Sequence, residues 1–94
     1  MSEKTSDSEA ARVVYDIEEN ERPSEAVVLA VSTLTNTPIL ELDPLFDTID
    51  PEHLDSIVRE WRDTDDENAI SFQYSGCRIS VTHETVRVRI DADR

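Results

Sequence analysis

Four aspartates in the middle of the chain are the first residues whose type and spacing suggest chemistry: Asp43, Asp47, Asp50 and Asp55. Carboxylate oxygens bind hard cations such as Mg²⁺ and Ca²⁺, and paired carboxylates perform general acid–base catalysis. The spacing lacks the alternating ligands and central glycine of a calcium loop, and a domain this small offers little room for a pocket. We therefore interpret the aspartates as caps and turn residues, with Asp50 the clearest cap, and expect no metal or cofactor.

The single cysteine and the two histidines are the other candidates for chemistry. Cys77 and His83 are six positions apart, but the pattern places Cys77 on a core-facing strand position and His83 at a turn. His53 falls early in a predicted helix. These residues have neither the spacing of a zinc site nor that of a nucleophile with its base. We expect a structural cysteine, solvated histidines and no catalytic residues, so the protein is not expected to be an enzyme.

The net charge of the chain bears on which kinds of partner it can bind. The 94 residues include 22 acidic and 9 basic side chains, for a net charge of -13. Such a chain repels a polyanion, so nucleic acid is an improbable partner except through a small local patch. Lys4 is the only lysine, beside eight arginines. An excess of carboxylates with almost no lysine is expected of a protein kept soluble in molar salt, although an ordinary acidic protein is the alternative.

Length and tail composition predict one small domain. Residues 1–10 are polar and aperiodic and are predicted to form a disordered tail, with a single domain over 11–94. No apolar run reaches the roughly 18 residues that a membrane helix needs, and the first residues lack a secretory signal. We therefore expect a cytoplasmic protein without a membrane partner.

The spacing of the apolar residues predicts the first strand and the two helices of the chain. Alternating residues predict a short strand near Arg12, and Pro23 with a capping Ser24 begins a helix. Residues 37–50 are interpreted as a connector with a helical turn and its apolar side chains buried. Asp50 and Pro51 begin a second helix. Two apolar stripes define the helix faces that the core should cover: Val27, Val28, Ala30, Val31 and Leu34, and then Leu54, Ile57, Val58 and Trp61.

The last part of the chain predicts a three-stranded meander. A turn at Ser75 and Gly76 pairs Tyr74 with Cys77 and keeps every apolar residue on one face. The second turn, around His83 and Glu84, is either tight or a looser four-residue loop with the same pairing. The predicted fold class is α+β: two layers, in the order β-α-α-β-β-β, with an antiparallel sheet and both helices packed on one face. The pattern leaves the position of the first strand open.

Three segments carry a family resemblance: PSEAV, LDPLFDTIDPEHLDSI and ISFQYSGCRISV. In this order the chain resembles the haloarchaeal output domain, type 1, over roughly residues 23–90. Phe46 stands where the family pattern has tyrosine. The resemblance implies a small module of haloarchaeal signalling and regulatory proteins and supplies no catalytic residues.

The predicted register gathers arginines on the sheet face turned away from the helices. Gln73, Arg78 and Arg89 form one cross-strand row, and Arg87 lies in the next row, so Arg78, Arg87 and Arg89 are the candidate interaction residues. Like charges directly opposite one another are destabilising. If the first strand lies beside the last, Asp16 and Glu18 provide internal partners.

The functional alternative is that these arginines bind something external. Our hypothesis is a non-enzymatic signalling or regulatory module that binds a protein partner, a second copy of itself included. The alternative is a sensor that binds a small anionic ligand or nucleic acid through the same arginines.

Overall fold

The computed structural model describes residues 12–64 and 67–90, so the predicted tail at residues 1–10 lies outside the described residues. Two helices and four strands follow one another in the predicted order, with two short 3₁₀ turns between the helices. The elements are β1 (Arg12–Asp16), α1 (Pro23–Thr35), the 3₁₀ turns Ile39–Glu41 and Leu45–Asp47, α2 (Pro51–Thr64), β2 (Ile70–Tyr74), β3 (Cys77–Val81) and β4 (Thr85–Ile90). The α+β class and the β-α-α-β-β-β order are confirmed.

The four strands form one antiparallel sheet in the order β1-β4-β3-β2. The meander has the predicted register, with Tyr74 opposite Cys77 and Val81 opposite Val86. The first strand, whose position the sequence left open, lies at the sheet edge beside the last strand. There Val13 stands opposite Val88.

The two hairpin turns use different devices. Ser75 and Gly76 both have positive φ, 53° and 76°, as a type I′ turn requires, and this turn matches the twist of the strands it joins. At the second turn, the Thr82 side-chain oxygen accepts hydrogen bonds from the backbone N–H groups of Glu84 and Thr85 at 3.2 and 3.0 Å. Thr82 also donates its own N–H to the Thr85 carbonyl at 2.9 Å. A side chain therefore closes the looser loop where no glycine is present.

Both helices cover the apolar face of the sheet. Helix α1 lies against β1, β3 and β4, and α2 packs beside it. The fully buried side chains come from both layers: Val27, Val31, Leu54, Val58, Cys77, Ile79, Val81, Val86 and Val88. Burial of a valine or leucine side chain contributes about 1.5 to 3 kcal/mol, so each of these side chains stabilises the packing of the helices on the sheet.

The connector at 37–50 is less buried than predicted. Leu45 is buried, but Leu40 is 97% exposed and Phe46 is 69% exposed. A 3₁₀ turn has about three residues per turn, so when Leu45 points inward its neighbour must point away. The Tyr74 hydroxyl ties the connector to the sheet by donating a hydrogen bond to the Asp43 carbonyl.

Candidate interaction surface

The aspartates act as caps wherever their side-chain bonds are seen. Asp50 accepts the Glu52 backbone N–H at 3.0 Å at the start of α2, which confirms it as a cap. Asp55 accepts two hydrogen bonds from Ser24, and Asp43 and Asp47 are exposed. Over residues 12–64 and 67–90, His, Cys, Asp and Glu side chains form no group of three or more that could hold a metal ion.

The cysteine occupies the core position predicted for it. Cys77 is fully buried, and burial raises the pKa of its thiol, which favours the protonated form over the reactive thiolate. His83 lies in the loop between β3 and β4 and is half-buried, whereas His53 is exposed on α2. The geometry therefore gives Cys77 a packing role.

The outer face of the sheet brings the predicted arginines together. Arg78 stands directly opposite Arg89, as the register predicted, and β1 places Arg12 opposite Arg89 on its other side. One row thus carries arginines on three adjacent strands. Sequence reasoning missed Arg12 because the position of β1 was open. We call the four exposed side chains Arg12, Arg78, Arg87 and Arg89 the arginine patch.

The arginine patch surrounds a shallow depression of about 600 Å³. The next row across the sheet starts at Val14 on β1 and continues through Arg87 on β4 and Ser80 on β3. It ends at Ser71 on β2, which stands opposite Ser80. The hydroxyls of Ser71 and Ser80 line the depression with the guanidinium groups, while Val14 is 58% exposed at its edge. The surface therefore presents cations and hydroxyl donors beside one apolar side chain.

The expected internal partners do not lie in the arginine row. Although β1 is next to β4, Asp16 stands opposite Thr85, two residues beyond Val14 and its partner Arg87. Glu18 lies past the end of β1, where its backbone N–H donates to the Glu21 carboxylate at 3.1 Å. Asp16 is thus a diagonal neighbour of Arg87, and neither Asp16 nor Glu18 stands in the row of Arg12, Arg89 and Arg78.

A comparison with known protein families finds a match over most of the chain. A family model described as Halobacterial output domain 1 matches residues 19–91. The chain belongs to this family. Its description as an output domain implies a signalling or regulatory module of haloarchaea. The match covers every element after β1, so Arg78, Arg87 and Arg89 fall inside the matched range and Arg12 falls outside it.

Two further comparisons of this Halobacterial output domain were made, with curated proteins and with solved structures. No match was found among curated proteins, and none among solved structures. Of the helices in the described ranges, none combines the length and the apolar character that crossing a bilayer demands.

Proposed function

We propose that this output domain is a non-enzymatic interaction module that binds an acidic surface of a protein partner through the arginine patch. The observation that carries the proposal is the row of Arg12, Arg89 and Arg78 on three neighbouring strands. Like charges directly opposite one another cost stability, and carboxylates from a partner would offset that cost. Each guanidinium offers paired donors that match a carboxylate.

A protein partner accounts for this face better than nucleic acid does. The net charge of -13 opposes the approach of a polyanion over the whole surface, whereas a short acidic segment needs only the local patch. Base stacking requires aromatic side chains, and the described residues that line the depression include none. The exposed Val14 adds the apolar contact that protein interfaces use.

A small anionic ligand is the second candidate, and the depression favours it. Its volume of about 600 Å³ lies inside the range of about 300 to 1,000 Å³ typical of ligand sites. Four arginines and two serine hydroxyls line it, which is a donor set suited to phosphate or carboxylate groups.

The test compares two triple variants that remove the same charge. Arg78→Gln, Arg87→Gln and Arg89→Gln together neutralise the patch, and Arg22→Gln, Arg59→Gln and Arg62→Gln, all exposed and away from it, are the matched control. The probe is a synthetic peptide that alternates glutamate with apolar residues, titrated in about 0.1 M KCl, where the affinities are compared, and again in about 1 M KCl, where a Debye length of about 3 Å screens the charges. We expect the patch variant to bind at least about tenfold more weakly than the control. Equal affinities, or no binding by the unmodified chain, would remove the patch as a protein contact.

The second candidate is separated by melting temperature at fixed salt. Inorganic phosphate, a nucleotide or an oligonucleotide that binds the folded chain raises its melting temperature. If a small anion raises the melting temperature of the unmodified chain but not that of the patch variant, and the peptide does not bind, the patch is a site for a small anionic ligand and not for a protein partner.

A further inference from the structure

The helix layer carries an apolar groove between α1 and the connector. Val28 and Leu29 on α1 form one wall, and Ile39 and Leu45 form the other. The groove has a volume of about 390 Å³, and Pro51 also lines it. We call this feature the connector groove. It lies in the opposite layer from the arginine patch, so it is a separate surface.

Large apolar side chains next to the connector groove are turned toward solvent. Leu40 follows Ile39 and is 97% exposed, and Phe46 follows Leu45 and is 69% exposed. Leu29 and Ile39 are also partly exposed within the groove itself. Single exposed apolar residues are ordinary, but several beside an apolar groove mark an interaction site.

Hydrogen bonds anchor both segments that form the connector groove. The Tyr74 hydroxyl donates to the Asp43 carbonyl and fixes the connector against the sheet. Ser24 at the start of α1 is bonded to Asp55 of α2, which fixes the opposite wall. A groove whose walls are already positioned costs less ordering when it binds.

The chain segment that contains the connector groove is acidic, and Glu25 is the carboxylate that lines the groove itself. Residues 23–58 contain no lysine or arginine. They carry seven carboxylates: Glu25, Glu41, Asp43, Asp47, Asp50, Glu52 and Asp55. A second copy that presented the same face would bring carboxylate against carboxylate, so charge disfavours a symmetric dimer there. A cationic partner gains from the same arrangement.

We propose that the connector groove binds an amphipathic helix of a partner protein, with apolar side chains in the groove and arginines or lysines facing the surrounding carboxylates. An apolar groove that receives one face of a helix is a common mode of peptide recognition. Leu40 and Phe46 extend the apolar contact beyond the groove, and Glu25 and Glu41 are exposed beside it to meet the cationic positions.

The probe for this proposal is a synthetic helix of about 18 residues, roughly five turns, with leucines on one face and arginines on the other. A second peptide has glutamate in place of each arginine. Binding is measured by calorimetry in about 0.1 M KCl, where the two peptides are compared, and again in about 2 M KCl, where a Debye length of about 2 to 3 Å screens the charges and leaves the apolar contact.

The protein variant is Leu40→Ser with Phe46→Ser, and the matched control is Val14→Ser, which removes an exposed apolar side chain from the sheet face. All three residues are exposed, so the fold should persist, and a thermal melt checks this. We expect the arginine peptide to bind at least about tenfold more weakly to the double variant, the control to bind normally and the glutamate peptide not to bind.

Three outcomes would overturn the proposal. The arginine peptide fails to bind the unmodified chain, or Val14→Ser weakens binding as much as the double variant does. Otherwise, sedimentation shows a dimer that the double variant dissociates, which would make a second copy the occupant.

Discussion

The carboxylate of Asp55 in α2 accepts two hydrogen bonds from Ser24 in α1, from its backbone N–H at 2.9 Å and from its hydroxyl at 3.0 Å. Helix α1 begins at Pro23, and Arg22 before it makes no side-chain capping bond. The prediction that Ser24 caps this helix was therefore wrong: Ser24 is inside the first turn, and Asp55 caps it from a neighbouring helix. A negative charge at a helix N-terminus also favours the helix electrostatically.

Removing this interhelical cap should destabilise the domain. Asp55→Ala leaves a buried N–H and a buried hydroxyl without their acceptor, and a hydrogen bond to a charged group contributes about 1.5 to 3 kcal/mol. We expect the free energy of unfolding, measured in urea, to fall by about 3 kcal/mol. The exposed Asp47→Ala is the control and should change it by less than about 0.5 kcal/mol. Equal effects of the two substitutions would contradict the capping role.

The turn between β2 and β3 should be sensitive to a side chain at Gly76. Its φ of 76° disfavours residues that carry a Cβ, although no atom lies near enough to clash with one. Gly76→Ala should therefore cost about 1 to 2 kcal/mol of unfolding free energy from backbone strain alone. Ser75→Gly, at the neighbouring positive φ, should be neutral or stabilising. A neutral Gly76→Ala in urea unfolding would argue against a type I′ turn.

Tyr15 should make stability fall at alkaline pH. Its hydroxyl donates to the Glu21 carboxylate at 2.7 Å. This bond, then burial and the charges of Glu21 and Glu18, raise the pKa of Tyr15 from 10.0 to about 12. Because the folded pKa exceeds the unfolded one, the stabilisation is complete below about pH 10 and is lost as pH rises through about 12. Urea unfolding across this window should show a shallower decline for Tyr15→Phe. The exposed Glu19→Gln is the control, and an unchanged slope in Tyr15→Phe would contradict the assignment.

Arg89 should cost stability at low salt, since it lies between Arg12 and Arg78. Arg89→Gln removes the repulsion of Arg89 by Arg12 and by Arg78. It should therefore raise the free energy of unfolding by about 0.2 to 1 kcal/mol in dilute buffer. The gain should vanish near 2 M KCl, where the Debye length is about 2 to 3 Å. Arg87→Gln, whose cross-strand neighbours are Val14 and Ser80, is the control with a smaller gain. A loss of stability in Arg89→Gln at both salt concentrations would show that the arginine row is not strained.

Salt should stabilise the whole domain. The net charge of -13 makes the folded chain repel itself, and the Debye length falls from about 10 Å at 0.1 M salt to about 3 Å at 1 M. Circular dichroism from about 0.1 to about 3 M KCl should show increasing resistance to urea. Glu41→Gln with Asp47→Asn, two exposed positions, should flatten the rise. Constant stability across the series would remove the salt-adaptation hypothesis.

The alternation of apolar residues along the last three strands was sufficient to predict the meander. Alternation through Phe72 and Ile79, joined by a serine–glycine turn, specifies both the face and the register of the last three strands. A slip of one residue would turn every apolar side chain outward. For the same reason the pairing of Arg78 with Arg89 was predictable.

The remaining features depend on contacts between distant residues. Alternation shows which side of β1 is apolar but not which strand lies beside it, so the contribution of Arg12 was missed. Ser24 has the residue type of a cap, and only the packing of α2 against α1 shows that Asp55 performs that role. The apolar residues of the connector have no regular spacing, so the sequence could not predict that Leu40 and Phe46 are exposed.

The pairing of β1 with β4 sets the order in which the domain becomes complete. Of the four described strands, β1 is synthesised first, yet its only neighbour among them is β4, which is synthesised last. Arg12 therefore reaches its place beside Arg89 only after the rest of the sheet has been synthesised. A chain that stops before β4 lacks the full row of three arginines, so this surface forms only once β4 has been made.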